Sequence, residues 1–211
     1  MTKSRKSLAK REAVLRVAAE MFVSQGYKLT SIEAIAREAT VSKVTAYRYF
    51  GSKECLFRES IRLKIDALEC PGLPRLADQN AKDSLLQFCH ALDACITADA
   101  FVRLDRCIAA DLVESPRLGP YFLDQFWGRA LGLLSEILEK LHESRKLDVP
   151  DTALASEQLT SMIRGLGELE RRFGQTGCER SAQRRRDAAV DTFLAAYAQD
   201  RRSLDQQASA T

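Results

Sequence analysis

Apolar residues recur at helical spacing through this chain, and beyond Asp78 no stretch alternates with the two-residue period of a half-buried strand. Leu15, Ala18, Ala19 and Phe22 form one stripe and predict a helix from about Leu8 to Gln25, which Gly26 stops in the C-cap role. Ile32, Ile35, Ala36 and Ala39 fall at i, i+3, i+4 and i+7, the buried face of a short helix with Thr30 or Ser31 placed to cap it. Thr40 and Val41 break that period. Ser42 then opens a third helix in which Ala46 and Phe50, four apart, turn inward and leave Lys43, Val44, Tyr47, Arg48 and Tyr49 outside. Ser52 is placed to cap a fourth, starting near Lys53, with Leu56, Phe57, Ile61, Ile65 and Leu68 on its stripe and Cys70-Pro71-Gly72 at its end.

The remainder reads the same way. Helices are predicted from Ala81 to Ile96 (Leu85, Cys89, Leu92, Ile96), from Asp99, placed to cap it, to Val113 (Phe101, Leu104, Ile108, Leu112), and from Tyr121 to about Arg145 after the Gly119-Pro120 break. Two more follow, Thr152 to Phe173 and Arg180 to Tyr197, separated by Gly174 to Gly177. Residues 1–7 and the last ten or so are polar, and an unstructured tail is expected at each end.

The third helix changes the picture from fold to function. Its first turn carries hydroxyls and an amine (Ser42, Lys43, Thr45) where carboxylates are usual, and it follows a short turn after another short helix. Helix N-termini, hydroxyls and basic side chains hold phosphates, and a second helix presented this way is the helix-turn-helix arrangement that enters the DNA major groove. The run from Thr30 to Leu56 resembles the TetR family of transcriptional regulators at Thr30-Ser31, Ile35-Ala36, Ala39, Val41-Ser42, Thr45, Tyr47, Tyr49-Phe50, Ser52-Lys53-Glu54 and Leu56, without a gap. It departs from the family at Thr40, where a glycine is usual, and at Ala46, where a larger aliphatic is common. Thr40 costs turn stability if it must take a positive φ.

The resemblance implies an all-α fold: an N-terminal three-helix helix-turn-helix DNA-binding domain over residues 1–53, a connecting helix over 53–70, and a larger C-terminal helical domain over 71–211 for effector binding and dimerisation. It implies that Lys43, Tyr47 and Lys53 contact phosphates, with Ser42 and Thr45 adding hydroxyl bonds and Thr30 and Ser31 completing the DNA-binding set. Arg48 fits a guanine edge, Val44 a thymine methyl and Tyr49 a base or sugar. The last two helices carry more apolar surface than a monomer needs, and the family pairs them with their copy in a second subunit. Leu159, Met162, Ile163, Leu166, Phe193, Leu194 and Tyr197 are therefore the expected dimer interface of a homodimer whose recognition helices lie about 34 to 36 Å apart on a palindromic operator.

Charge agrees with the placement of the head. Residues 1–53 hold 11 Lys and Arg against 4 Glu, a balance of +7, whereas the chain as a whole is only +3. No apolar run is long enough for a membrane span and no secretory signal is read, so a cytoplasmic protein is expected. For a small-molecule effector, Asp93 and Asp105 lie beside apolar stripes, and Phe101, Ile108, Phe126 and Trp127 are the candidate lining. Stripe-edge aspartates also point to solvent or pair with arginine, and the aromatic cluster suits a core equally well. Six cysteines without CxxC spacing argue against zinc or a disulfide framework and are expected as thiols, and His90 and His142 are too few for a metal site, so no cofactor is implied. No GxSxG, phosphate loop or HExxH pattern supports an enzyme. A redox-sensing regulator working through Cys89, Cys95 or Cys107 is the alternative within the same class.

Overall fold

The computed structural model describes residues 2–67, 80–113, 115–175 and 179–199 and, among these, contains helices and no strand. The helices are α1 (Thr2–Leu29), α2 (Ile32–Glu38), α3 (Lys43–Phe50), α4 (Lys53–Ala67), α5 (Ala81–Thr97), α6 (Asp99–Asp111), α7 (Leu118–Phe122), α8 (Arg129–Glu143), α9 (Thr152–Arg172) and α10 (Glu179–Ala196). By packing, the chain forms two compact units, Met1–Glu69 with Ile96–Gly128, and Cys70–Cys95 with Arg129–Thr211. The first therefore joins the expected head to α6, α7 and the segment after it. Leu68, the Cys70-Pro71-Gly72 stop and Gly177 lie outside the described residues.

In the first unit α1 packs against α4 and α6, and α2 against α3. Val14, Ala18, Ala19 and Phe22 of α1 are buried with Leu56, Phe57 and Ile61 of α4, and Phe22 meets Phe57 edge-on at 4.8 Å. Leu15, expected on this face, is half-buried, and Val14 takes its place. Gly26 does break α1, with φ 86° and ψ 166°, although helical residues resume to Leu29. At the other end the helix extends to Thr2, so the expected N-terminal tail is helical in its described part. Ser31, Ser42 and Ser52 cap α2, α3 and α4 by accepting from Ala34, Thr45 and Cys55 N–H groups. Ala98, not Asp99, stands at the N-cap of α6.

The expected helix from Tyr121 to Arg145 is interrupted. α7 ends at Phe122 and a π-helical turn spans Leu123–Gly128, which widens the helix where Phe126 and Trp127 turn inward. These two and Phe122 pack on Phe101 of α6, the Phe101–Phe126 centroids lying 4.6 Å apart.

In the second unit α8 and α10 pack on α9. Leu134, Ile137 and Leu138 of α8, Leu159 and Ile163 of α9, and Val190 and Phe193 of α10 are buried. Asp151 caps α9 through the Leu154 N–H. α9 is broken at Gly165, with φ 46° and ψ −153°, and beside the break the Arg185 guanidinium of α10 donates to the Ile163 carbonyl at 3.0 Å. A buried ion pair, Asp93 with Arg186, ties α5 to α10. Among the described residues no single helix is long and apolar enough to cross a membrane, and no group of three or more His, Cys, Asp or Glu could hold a metal.

Candidate nucleic-acid interface

The turn between α2 and α3 is made by Thr40, which takes φ 56°, the left-handed conformation its sequence position suggested. That lets Val41 N–H reach the Ala36 carbonyl at 2.9 Å and close α2 before Ser42 opens α3. With Ala46 and Phe50 buried, α3 presents the opposite face: Val44 is 76% exposed, Tyr47 is 39% exposed, and Ser42, Lys43 and Arg48 are exposed beside them. Thr45 is half-buried, its hydroxyl 2.9 Å from that of Ser42. One short helix thus offers a hydroxyl pair at its N-terminus, two cations, a phenol and a bare methyl surface, the groups that hold phosphates and read base edges.

Neighbouring helices tune these groups. Lys43 Nζ is paired with Glu33 of α2 at 2.5 Å, and that hydrogen bond raises the lysine's proton affinity and lowers the glutamate's. Lys53 lies half-buried with Nζ 4.3 Å over the Tyr27 ring, where burial lowers its pKa against the pull of Asp111. The Tyr49 hydroxyl is 3.1 Å from Ser7 Oγ of α1, and this bond lowers the phenol's pKa, with Arg48 adding to the effect. Tyr49 is therefore engaged within the head, stacked edge-on to Phe50 at 6.3 Å. Arg11, which the sequence reading did not single out, packs its guanidinium 4.8 Å over Phe50 and pairs with Glu59, so it braces α3 from behind.

Several expected site residues lie elsewhere than expected. Thr30 is buried, 1% exposed, with its hydroxyl donated to the Gly26 and Met21 carbonyls, so it shapes the end of α1 and offers nothing to DNA. Ser31 is exposed and its hydroxyl caps α2. Of the expected dimer residues, Leu159, Ile163 and Phe193 are at most 1% exposed, so they belong to their own unit's core and are withdrawn as partner contacts. Met162, Leu194 and Tyr197 are half-buried and Leu166 is 72% exposed; Leu154, Leu169 and Phe173 join Leu166 as exposed large apolar residues of this segment.

The candidate effector residues are divided between the units. Phe101, Phe126 and Trp127 come together with Phe122 in the first, with Ile108 buried and Asp105 half-buried on the same helix as Phe101. Asp93 belongs to the second unit, where its Oδ2 pairs with Arg186 and its Oδ1 is buried without a hydrogen-bond partner. The expectation of six thiols is corrected at Cys95, which is disulfide-bonded. Cys55, Cys89 and Cys107 are free; burial pushes the Cys89 thiol up to about 12 and that of Cys107 up to about 11, so neither forms thiolate readily.

Two family models match successive parts of the chain. Residues 14–60 match the family model described as bacterial regulatory proteins, tetR family, and residues 83–199 match that of the AefR-like transcriptional repressor C-terminal domain. The HTH-type transcriptional regulator HbdR of Aromatoleum sp. is 34% identical over 92 residues, 43% of this chain and 39% of that protein. The uncharacterized HTH-type regulator YhgD of Bacillus subtilis is 33% identical over 75 residues, 32% of this chain and 39% of that one. The chain thus aligns with 39% of the length of each of these two curated relatives. Among solved structures, the flavonoid-responsive regulator FrrA superposes with a TM-score of 0.82 at 29% identity, covering 90% of this chain and 98% of FrrA. A TetR-family regulator from Mesorhizobium loti gives 0.78 at 29% identity over 91% and 98%. With one family model on the helix-turn-helix and another on more than half of the chain, the protein belongs to the TetR family of DNA-binding transcriptional regulators, and it is not an enzyme.

Proposed function

We propose that the chain is a ligand-responsive repressor that binds a palindromic operator as a homodimer in the cytoplasm. The carrying observation is the face of α3, where Ser42, Lys43, Val44, Thr45, Tyr47 and Arg48 stand clear of a buried Ala46 and Phe50 and Lys53 follows at the start of α4. Lys43, Tyr47 and Lys53 hold phosphates, Ser42 and Thr45 add hydroxyl bonds, Ser31 contributes at the mouth of α2, and Val44 and Arg48 read bases. Tyr49 reaches a sugar or base by leaving Ser7. Residues 1–53 carry DNA contact, and residues 71–211 carry the effector and the partner.

Dimerisation is supported by Leu166, Leu169 and Phe173, the last 81% exposed, which fall at i, i+3 and i+7 towards the end of α9, and by the groove between α9 and α10 that Leu154, Met162 and Tyr197 line. Response to a small molecule is supported by the name of FrrA, a flavonoid-responsive relative, and by the aromatic cluster of Phe101, Phe126 and Trp127 with Ile108 and Asp105 on α6. An effector would act by favouring a dimer whose α3 helices no longer match successive major grooves. Native mass measurement tests the dimer: the wild type is expected at twice the chain mass, and Leu166→Asp with Phe173→Asp at the single-chain mass. A wild-type monomer at micromolar concentration contradicts the reading.

A further inference from the structure

Asp111, the last residue of α6, is a buried carboxylate, 6% exposed, in a part of the chain to which no DNA-binding role is assigned. Its carboxylate faces the corner where α1 breaks. The Tyr27 N–H donates to Oδ2 at 2.5 Å and the Lys28 N–H points to Oδ1 at 3.4 Å. Gly26 permits this, because its positive φ turns two successive N–H groups to one side, an anion-binding concavity. A Cβ on Gly26 would stand 3.2 Å from Oδ2, so the carboxylate also fills the space beside the glycine. The anion in this concavity is supplied by the chain itself.

The other side of the corner is held by α4. Lys53 lies over the Tyr27 ring and donates to the Lys28 carbonyl at 3.4 Å, while that ring packs edge-on against Phe57 at 4.9 Å. One turn before Asp111, the Cys107 thiol donates to the Phe22 carbonyl at 3.0 Å, a second hold of α6 on α1. Thr30, whose hydroxyl reaches back to the Gly26 carbonyl at 2.8 Å, and Ser31, the cap of α2, follow at once. A carboxylate from α6 and an ammonium from α4 thus grip the same corner immediately before the helix-turn-helix.

We infer that Asp111 is a positioning residue for DNA binding: by accepting the Tyr27 and Lys28 N–H groups it fixes the corner on which Lys53 rests, and so sets Lys53 for the phosphate backbone. The inference rests on the proposed DNA-facing role of Lys53. Its sign separates it from simple electrostatics. A carboxylate near a DNA-binding face repels phosphates, so as a bare charge its removal strengthens binding. As a positioning group, its removal weakens binding.

The test measures affinity for one duplex, selected from a random pool with the wild type, for wild type, Asp111→Asn, Lys53→Met and the double variant at two salt concentrations, with a thermal melt of each. Asp111→Asn is expected to bind about tenfold more weakly, the scale of lost hydrogen bonds to a charged group, despite losing a negative charge. The double variant is expected to bind little more weakly than Lys53→Met alone, because no ammonium is left to place. Unchanged or stronger binding by Asp111→Asn, or losses that multiply in the double variant, overturns the inference. If Asp111→Asn does not fold, amide exchange of the wild type decides: slow exchange at Tyr27 and Lys28 that slows further with duplex supports the latch, and exchange unmoved by duplex overturns it. A wild type that binds no duplex fails the DNA-facing reading of α3 and Lys53, and this inference falls with it.

Discussion

Thr40 holds a β-branched side chain at φ 56°, where an L-residue other than glycine is strained by about 1–2 kcal/mol. A glycine there loses about 0.5–1 kcal/mol through the entropy of the unfolded chain. The balance favours glycine, so Thr40→Gly is expected to raise stability by about 0.5–1 kcal/mol in urea unfolding; a lower midpoint would show that the threonine makes an offsetting contact. Lys43 poses the opposite question. Its ammonium is spent on Glu33 in the free protein, and a phosphate must compete with that carboxylate. Both groups are exposed and screened, so the effect is small: Glu33→Gln is expected to tighten duplex binding roughly two- to fivefold at low salt and to lose that gain at high salt. An equilibrium titration at both salts checks it, and weaker binding at low salt contradicts the role given to Lys43.

Helices made of one clean stripe were legible from sequence, and helices with a local defect were not. α2, α3 and α4 appear where their caps and stripes place them because Ser31, Ser42 and Ser52 each satisfy an N–H just ahead of an apolar period. The π-helical turn at Leu123–Gly128 was hidden because Phe126 and Trp127 are apolar in any register, and only packing on Phe101 selects the widened one. The break in α9 was hidden because Gly165 in a helical pattern is tolerated, and Arg185, which packs against the break, lies on another helix. The dimer residues were misplaced for a related reason: with one apolar stripe on each of α9 and α10, the sequence does not say which positions face the protomer's core, and Leu159, Ile163 and Phe193 do. Asp111 did leave a signal, since it continues the Phe101, Leu104 and Ile108 spacing that the reading carried on to Leu112 instead. At Gly165 an added Cβ would stand 2.8 Å from Arg185 Cδ at a positive φ. Gly165→Ala is therefore expected to cost about 1–3 kcal/mol in chemical denaturation, or to straighten α9 and displace Arg185. An unchanged midpoint with an unchanged helix would contradict the account of the break.

Over the whole molecule, the distribution of charge and of exposed apolar side chains supports the proposed function. The head carries the basic excess, +7 over residues 1–53 against +3 for the chain, and the end of α9 leaves Leu166, Leu169 and Phe173 exposed, where the proposed function places a second copy. On the proposed function, the α3 face of Ser42, Lys43, Val44, Thr45, Tyr47 and Arg48 is one half of a two-fold reader of duplex DNA. Selection from a random duplex pool with the purified protein, repeated with Tyr47→Ala, tests this most directly. The account predicts enrichment of an inverted repeat whose binding weakens steeply with salt and falls by about tenfold or more in the variant. Enrichment of no sequence, or of an asymmetric site that Tyr47→Ala binds as well as the wild type, would contradict it.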